Sequence, residues 1–201
     1  MTQEVATTLT AKQLQHLIEA AIFSAAKPLS VTQLLETVLA DTSVTREQAK
    51  QALSELQRDY RSRGIELVKL ASGYRFQTRP ELAKQLNKVR QNSAPKYSRA
   101  LLETLALIAY QQPITRGEIE TVRGVSVSSQ SIRTLTERGW IKVVGHKEVP
   151  GRPALLATTK GFLDYFGLAS LSELPKLSDE TALQALLVGT SSRQNKELVN
   201  E

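Results

Sequence analysis

Few residues in this chain could do covalent or acid–base chemistry, and their spacing keeps them apart. His16 and His146 stand far from each other, and neither has a second histidine at metal-ligand spacing, so no zinc site is indicated. Cysteine is absent, which removes disulfides, thiolate ligands and thiol nucleophiles. The chain has no Gly-x-Ser-x-Gly elbow, no phosphate loop and no Gly-x-Gly-x-x-Gly fingerprint. Glu118 and Glu120 come closest to a carboxylate pair. Two positions apart on a helix, they project in different directions and read as surface charges. An enzyme needs converging titratable groups. None can be assembled here, so neither catalysis nor a cofactor is expected.

What remains is chemistry of recognition. The stretch GHKEVPGRPALLATT, Gly145 to Thr159, sets Arg152 between a Pro-Gly pair and a second proline. Pro150-Gly151 suits a type II turn, with proline fixing the first central φ and glycine taking the positive one. Pro153 cannot donate to a sheet ladder, so it belongs at a strand's start or on an edge. Arg152 is thereby held on a stiff tip, where a guanidinium loses little entropy on pairing with a carboxylate or phosphate. Two destinations stay open. Arg152 contacts a partner, or it folds back on its own domain, to Glu148 or a helix end.

The elements that would position this tip occur twice. Leu14, Leu17, Ile18, Ala21, Ile22 and Ala25 form a helical stripe over Thr10–Ala26. Thr10 with Gln13, Ser30 with Gln33, and Thr45 with Gln48 read as capping boxes. They open three helices, with Leu34, Leu35 and Val38 inward on the second and Ala49, Leu53, Leu56 and Tyr60 inward on the third. Gly64 is expected to end the third in the left-handed conformation. IELVKL and YRFQT then read as a β-hairpin about the turn ASG, and Pro80 opens a closing helix to about Arg90. A polar linker, Gln91–Pro95, separates this from a second pass: a helix from Ser98 to Gln111 with Leu101, Leu105, Ile108 and Ala109 inward, and a short one ending near Arg123. Thr115 with Glu118 is its weaker capping box, because Gly117 lies inside. A third helix spans Ser128–Arg138 and stops at Gly139. Strands Ile141–Gly145 and Ala154–Thr158 flank the Arg152 loop, and KGFLDYFG closes. Trp140 reads as a core anchor, given the area a tryptophan buries. Pro28 matches Pro113, Ser30 matches Thr115, and Gly64 matches Gly139. The fold class expected is α+β, mainly helical: two tandem winged-helix domains, each of three helices and a β-hairpin wing. They occupy residues 1–91 and 96–175. Residues 176–201, with few bulky apolar groups, read as a disordered tail, or as a docking helix that carries Leu183, Leu186 and Leu187.

Charge separates the uses of such a fold. The net is +6. Residues 1–91 hold 13 Lys and Arg against 9 Asp and Glu, residues 92–175 hold 10 against 7, and residues 176–201 hold 3 against 4. The densest basic cluster, Arg58, Arg61 and Arg63, suits an acidic partner, and equally a solvated helix C-terminus. In the second copy a DNA-reading third helix would present Ser128, Ser129, Gln130, Ser131, Arg133 and Thr134, but Glu137 sits between Arg133 and Arg138. Duplex binding draws most of its affinity from phosphate contacts, and this basic surface is diluted. A protein-binding use is favoured, with a DNA-binding regulator as the alternative. No apolar run approaches a membrane span, and the start MTQEVATTLT lacks signal-peptide character. A cytoplasmic protein is expected.

Two long stretches resemble the segregation and condensation protein B (ScpB) family: LLETLALIAYQQPITRGEIETVRGV, Leu101–Val125, and GWIKVVGHKEVPGRPALLATTKGFLDYFGLASLSELP, Gly139–Pro175. Together they span most of the second copy. The resemblance implies a homodimer formed through the N-terminal domains and a cytoplasmic, nucleoid-associated protein without catalytic activity. It further implies that the kleisin ScpA is the partner, with the Smc ATPase reached through it, and that any DNA contact is auxiliary. Arg116, Glu118, Arg123 and Arg152 lie in these segments and have no evident core role. They are the candidate polar contacts to the partner.

Overall fold

The computed structural model describes residues 8–88 and 97–176. The chain divides into two compact units, Met1–Gln91 and Asn92–Glu201. Each runs three helices and then a hairpin, a mixed and mainly helical α+β fold. The linker Gln91–Pro95 and the tail helix carrying Leu183 lie outside the described residues.

In the first unit, helices α1 (Ala11–Ser24), α2 (Val31–Glu36) and α3 (Arg46–Asp59) each open on a complete capping box, Thr10/Gln13, Ser30/Gln33 and Thr45/Gln48. Each N-cap of this kind stabilises a helix by about 1 kcal/mol. The helices close on one core of Leu14, Ile18, Ile22, Leu34, Leu39, Ala49, Leu53, Leu56 and Tyr60. Val38 is not part of it. Helix α2 ends at Glu36, where the Thr37 hydroxyl donates to the Gln33 carbonyl, and the turn that follows leaves Val38 exposed and buries Leu39.

Gly64 departs from expectation. It is not among the residues with positive φ. The carbonyls leaving α3 are instead gathered by Arg79, which donates to the oxygens of Arg63 at 2.8 Å, Tyr60 at 3.3 Å and Arg61. That side chain does what a left-handed glycine would otherwise do. Arg63 lies 4.8 Å over the Tyr60 ring, so part of the basic cluster belongs to a helix end. Strands β1 (Ile65–Lys69) and β2 (Tyr74–Thr78) pair antiparallel, Ile65 opposite Thr78. Leu29 bridges to Tyr74, pressing the α1–α2 connection against the hairpin turn. A Cβ on Gly73, at φ +152, would lie 2.2 Å from the Leu29 carbonyl carbon. The closing helix is shorter than expected. A 3-10 turn at Pro80–Leu82 leads into α4 (Ala83–Leu86).

The second unit contains α5 (Arg99–Gln111), β3 (Ile114–Thr115), α6 (Arg116–Arg123), α7 (Ser129–Glu137), β4 (Ile141–His146), β5 (Ala154–Thr158) and α8 (Lys160–Phe166). Gly124 (φ +69) ends α6, and Gly139 (φ +66) stops α7 as its position predicts. The sequence reading missed β3, because two residues are too short to show a period. It pairs with β5, giving a three-stranded sheet in the order β3-β5-β4. It stands where Leu29 stands in the first unit, so the duplication extends to the pairing. Leu101, Leu105, Ile108, Ile119, Leu135, Ile141, Leu156 and Phe162 form the core. Trp140 is buried among Tyr97, Tyr165 and Phe166, with ring centroids 4.6–5.6 Å away. It is the anchor expected of it.

Candidate interaction surface

The start of α6 is built by Thr115 and Glu118. Thr115 is the last residue of β3 and the N-cap of α6, and its hydroxyl accepts from the Glu118 amide at 3.3 Å. One Glu118 carboxylate oxygen accepts from the Thr115 amide and hydroxyl, both at 2.8 Å. This box is complete, because Gly117 inside it needs no side chain for either bond. The other Glu118 oxygen accepts from Lys147 Nζ, just past β4, at 2.5 Å. Glu118 thus ties a helix start to the hairpin. Lys147 first, then the Thr115 amide and hydroxyl, hold its carboxyl down at about 2.

Arg116 and Glu120 flank Glu118 on α6. Arg116 donates to Glu120 at 3.0 Å and to the Ser129 hydroxyl at 3.0 Å. The same Glu120 oxygen accepts from the Val127 amide at 2.8 Å, and that bond, then Arg116, lowers the Glu120 pKa. Glu118 and Glu120 do project to different partners, as their spacing predicts, and both are engaged.

Arg123 faces inward. Its side chain is 11% exposed and donates to Glu103 at 3.1 Å and to the buried Thr104 hydroxyl at 3.3 Å. Glu103 is shared with Arg99 at 2.8 Å. Arg123 therefore pins α6 to α5. Arg152 is at the other extreme, 71% exposed at the hairpin tip. Gly151 takes φ +83 and the Arg152 amide donates to the Val149 carbonyl at 2.9 Å, the closure and positive φ a type II turn requires. Arg152 itself has φ +37, the only positive φ outside glycine among the described residues. Its guanidinium meets Glu148 at 3.0 Å, and both side chains are open to solvent. The structure thus brings Glu118 together with the hairpin through Lys147, and separates Arg123 from the exposed set. Lys147 escaped the sequence reading, and Glu120, read as a surface charge, proves to be bonded to Arg116 and the Val127 amide. The only signal for Lys147 was the capping-box position of Glu118, which marks where a long cation from the hairpin can arrive.

Six cations of this unit, Arg99, Arg116, Arg123, Arg133, Lys147 and Arg152, each lie within 3.1 Å of a carboxylate oxygen of the same unit. Arg138 donates to the Tyr97 hydroxyl at 2.8 Å and stacks over Tyr97 and Trp140. Apart from the inward Arg123–Glu103 pair, surface pairs of this kind stabilise a fold little, but all six neutralise the unit's field. In the first unit a cavity of 230 Å³ opens between the starts of α1 and α3, and Glu55 is the one titratable residue among its lining. Among the described residues no three His, Asp or Glu side chains gather to hold a metal ion, and no helix is long and apolar enough to cross a membrane.

The family model for the segregation and condensation complex subunit ScpB matches residues 16–177. The chain belongs to the ScpB family. The match runs from within α1 past α8 and so takes in both units, tying the family to chromosome segregation and condensation by name. The segregation and condensation protein B homolog of Coxiella burnetii is 53% identical over 169 residues, 84% of this chain and 81% of its own. Segregation and condensation protein B of Symbiobacterium thermophilum is 43% identical over 176 residues, 87% of this chain and 78% of its own. A solved dimer of an ScpB N-terminal domain complexed with an ScpA peptide matches at 30% identity, over 40% of this chain and 94% of its own, with a TM-score of 0.35.

Proposed function

We propose that the protein is a non-enzymatic adaptor, a homodimer that binds the kleisin ScpA and through it the Smc ATPase, supporting chromosome condensation and segregation in the cytoplasm at the nucleoid. The observation that carries this reading is the family match over both units, residues 16–177. The first unit, residues 1–91, is the dimerisation domain. The second, residues 96–175, holds ScpA. In-house pairing of six cations in the second unit supports a protein partner over a duplex, because a duplex draws its affinity from cations free to meet phosphates.

Arg152 supplies the exposed polar contact, and its pair with Glu148 costs little to exchange for a partner carboxylate at such exposure. Glu118 and Arg116 hold the hairpin and the α6–α7 turn in place behind it, with their solvent-facing sides at the rim of the contact. Dimerisation tethers two such units, so that one ScpA chain engaging both benefits from effective concentration. DNA contact is auxiliary. The test is co-elution with ScpA from a sizing column at micromolar concentration, the expected product being an assembly with ScpB in excess. Separate elution overturns the reading, as does tight binding to a discrete DNA site with a steep salt dependence.

A further inference from the structure

We infer that the outer edge of β4 receives an extended partner segment as an added strand. The inference rests on the reading of ScpA as partner and names how and where it is held. In the sheet order β3-β5-β4, β4 is an edge. Two bonds fix which of its backbone groups face outward. Thr159 donates to the Trp140 carbonyl at 3.0 Å and Lys147 donates to the Pro153 carbonyl at 2.9 Å. Bonding alternates along an antiparallel pair, so Ile141 and Val143 turn their amides and carbonyls away from β5. A bulge between Val143 and Gly145 then shifts the phase, and His146 turns outward. Among the described residues no side chain bonds these outward groups.

The duplication supplies an internal control. Strand β1 occupies the same place in the first unit, and its edge is covered. There Leu67 faces outward by the same alternation, since Leu70 and Gly73 exchange bonds at one end and Arg79 donates to Gly64 at the other. Gln57, on α3, donates to the Leu67 carbonyl at 3.2 Å, and only Lys69 of β1 is exposed. On β4, Lys142, Val143, Val144 and His146 are all exposed, Val143 by 54% and Val144 by 48%. Val149, in the loop beyond, is also exposed. Proteins ordinarily shield an edge strand that carries apolar side chains. One copy of this fold does so, and the other leaves its edge open.

The occupant's chemistry follows from what borders the edge. Between Ile141 and Pro153 the cations are Lys142, Lys147 and Arg152, against Glu148. Lys147 is held by Glu118 and Arg152 by Glu148, which leaves Lys142 without a carboxylate among the described residues. Successive residues of a strand point to opposite faces, so Lys142 and Val143 present a cation on one face and an apolar surface on the other. The matching segment is a strand alternating acidic and apolar residues, held by main-chain bonds with side-chain selection, as in other strand additions. A second copy of β4 is the poorer occupant, because its edge carries the same sign of charge.

Amide exchange followed by NMR on the full chain, with and without ScpA, tests this. Complex formation is expected to slow the outward amides of Val143 and His146 by about tenfold or more while Lys142, already bonded to β5, changes little. Val143→Pro removes an outward amide and no internal bond, and is expected to weaken ScpA binding by roughly tenfold. Val143→Glu keeps the amide and sets a carboxylate against the acidic segment in place of an apolar side chain. It serves as the independent variant, with the same direction expected and melting unchanged. A complex that forms with Val143 and His146 exchanging as before overturns strand addition and leaves the adaptor reading standing. So does wild-type affinity in both variants. Failure of the wild-type chain to bind ScpA overturns both.

Discussion

Replacing Arg123 by methionine separates the architecture of the second unit from its binding. Arg123 lies in the Leu101–Val125 segment and is a candidate partner contact by sequence, yet its side chain is 11% exposed and bonded to Glu103 and Thr104. A hydrogen bond to a charged group contributes roughly 1.5–3 kcal/mol. Three features reduce the loss. Thr104 keeps its own bond to the Ala100 carbonyl at 2.9 Å. Glu103, 39% exposed, keeps Arg99 and is free to hydrate. Arg123 Nε is buried without a partner, and its removal recovers part of a desolvation penalty of about 1–3 kcal/mol. Methionine preserves most of the packing along the stem. The net destabilisation is therefore about 1 kcal/mol, well short of the roughly 3–5 kcal/mol for breaking a fully buried pair. For a domain of this size it lowers Tm by about 4–8 °C. The assay is thermal unfolding by circular dichroism beside ScpA affinity at a temperature where both proteins are folded. Lowered melting with unchanged affinity is expected. Unchanged melting with lost affinity would refute the inward placement and restore Arg123 to the contact surface.

The remaining perturbations address the hairpin and the first unit. Glu118 has a folded pKa near 2 against an ordinary 4.5. Its contribution is therefore fully present above about pH 4.5 and lost as pH falls toward 2. Glu118→Gln should flatten the second unit's melting profile across that window, and an unchanged slope counts against the Glu118–Lys147 tie. Arg152→Gly relieves φ +37, a conformation costing a side-chain-bearing residue about 1–2 kcal/mol. Melting no lower than wild type with weaker ScpA binding is expected, and lower melting with full binding means that the tip serves its own fold. Gly73→Ala drives a Cβ to 2.2 Å from the Leu29 carbonyl carbon. A loss of about 3 kcal/mol or more is expected, read as the unfolding transition of the first unit moving to lower denaturant, and an unmoved midpoint contradicts the close approach.

The sequence by itself determined where the helices begin and which of their faces are buried. Capping boxes at Thr10, Ser30, Thr45 and Thr115 are local chemistry, three residues wide, and all four form as read. The stripes through Ile18, Leu53 and Ile108 follow a period that any core must respect. The turn at Pro150-Gly151 is dictated by two residues' own torsional limits. What only the tertiary structure decided depends on groups distant in the chain. Arg79 reaches back to the end of α3 and takes over the role expected of Gly64. Lys147 finds Glu118 across the second unit, and Arg123 turns toward Glu103. Two like hairpins differ in that Gln57 covers one edge while β4 stays open. A long polar side chain has many rotamers and no period. Its partner is fixed only when packing of the apolar core brings the two chain segments together.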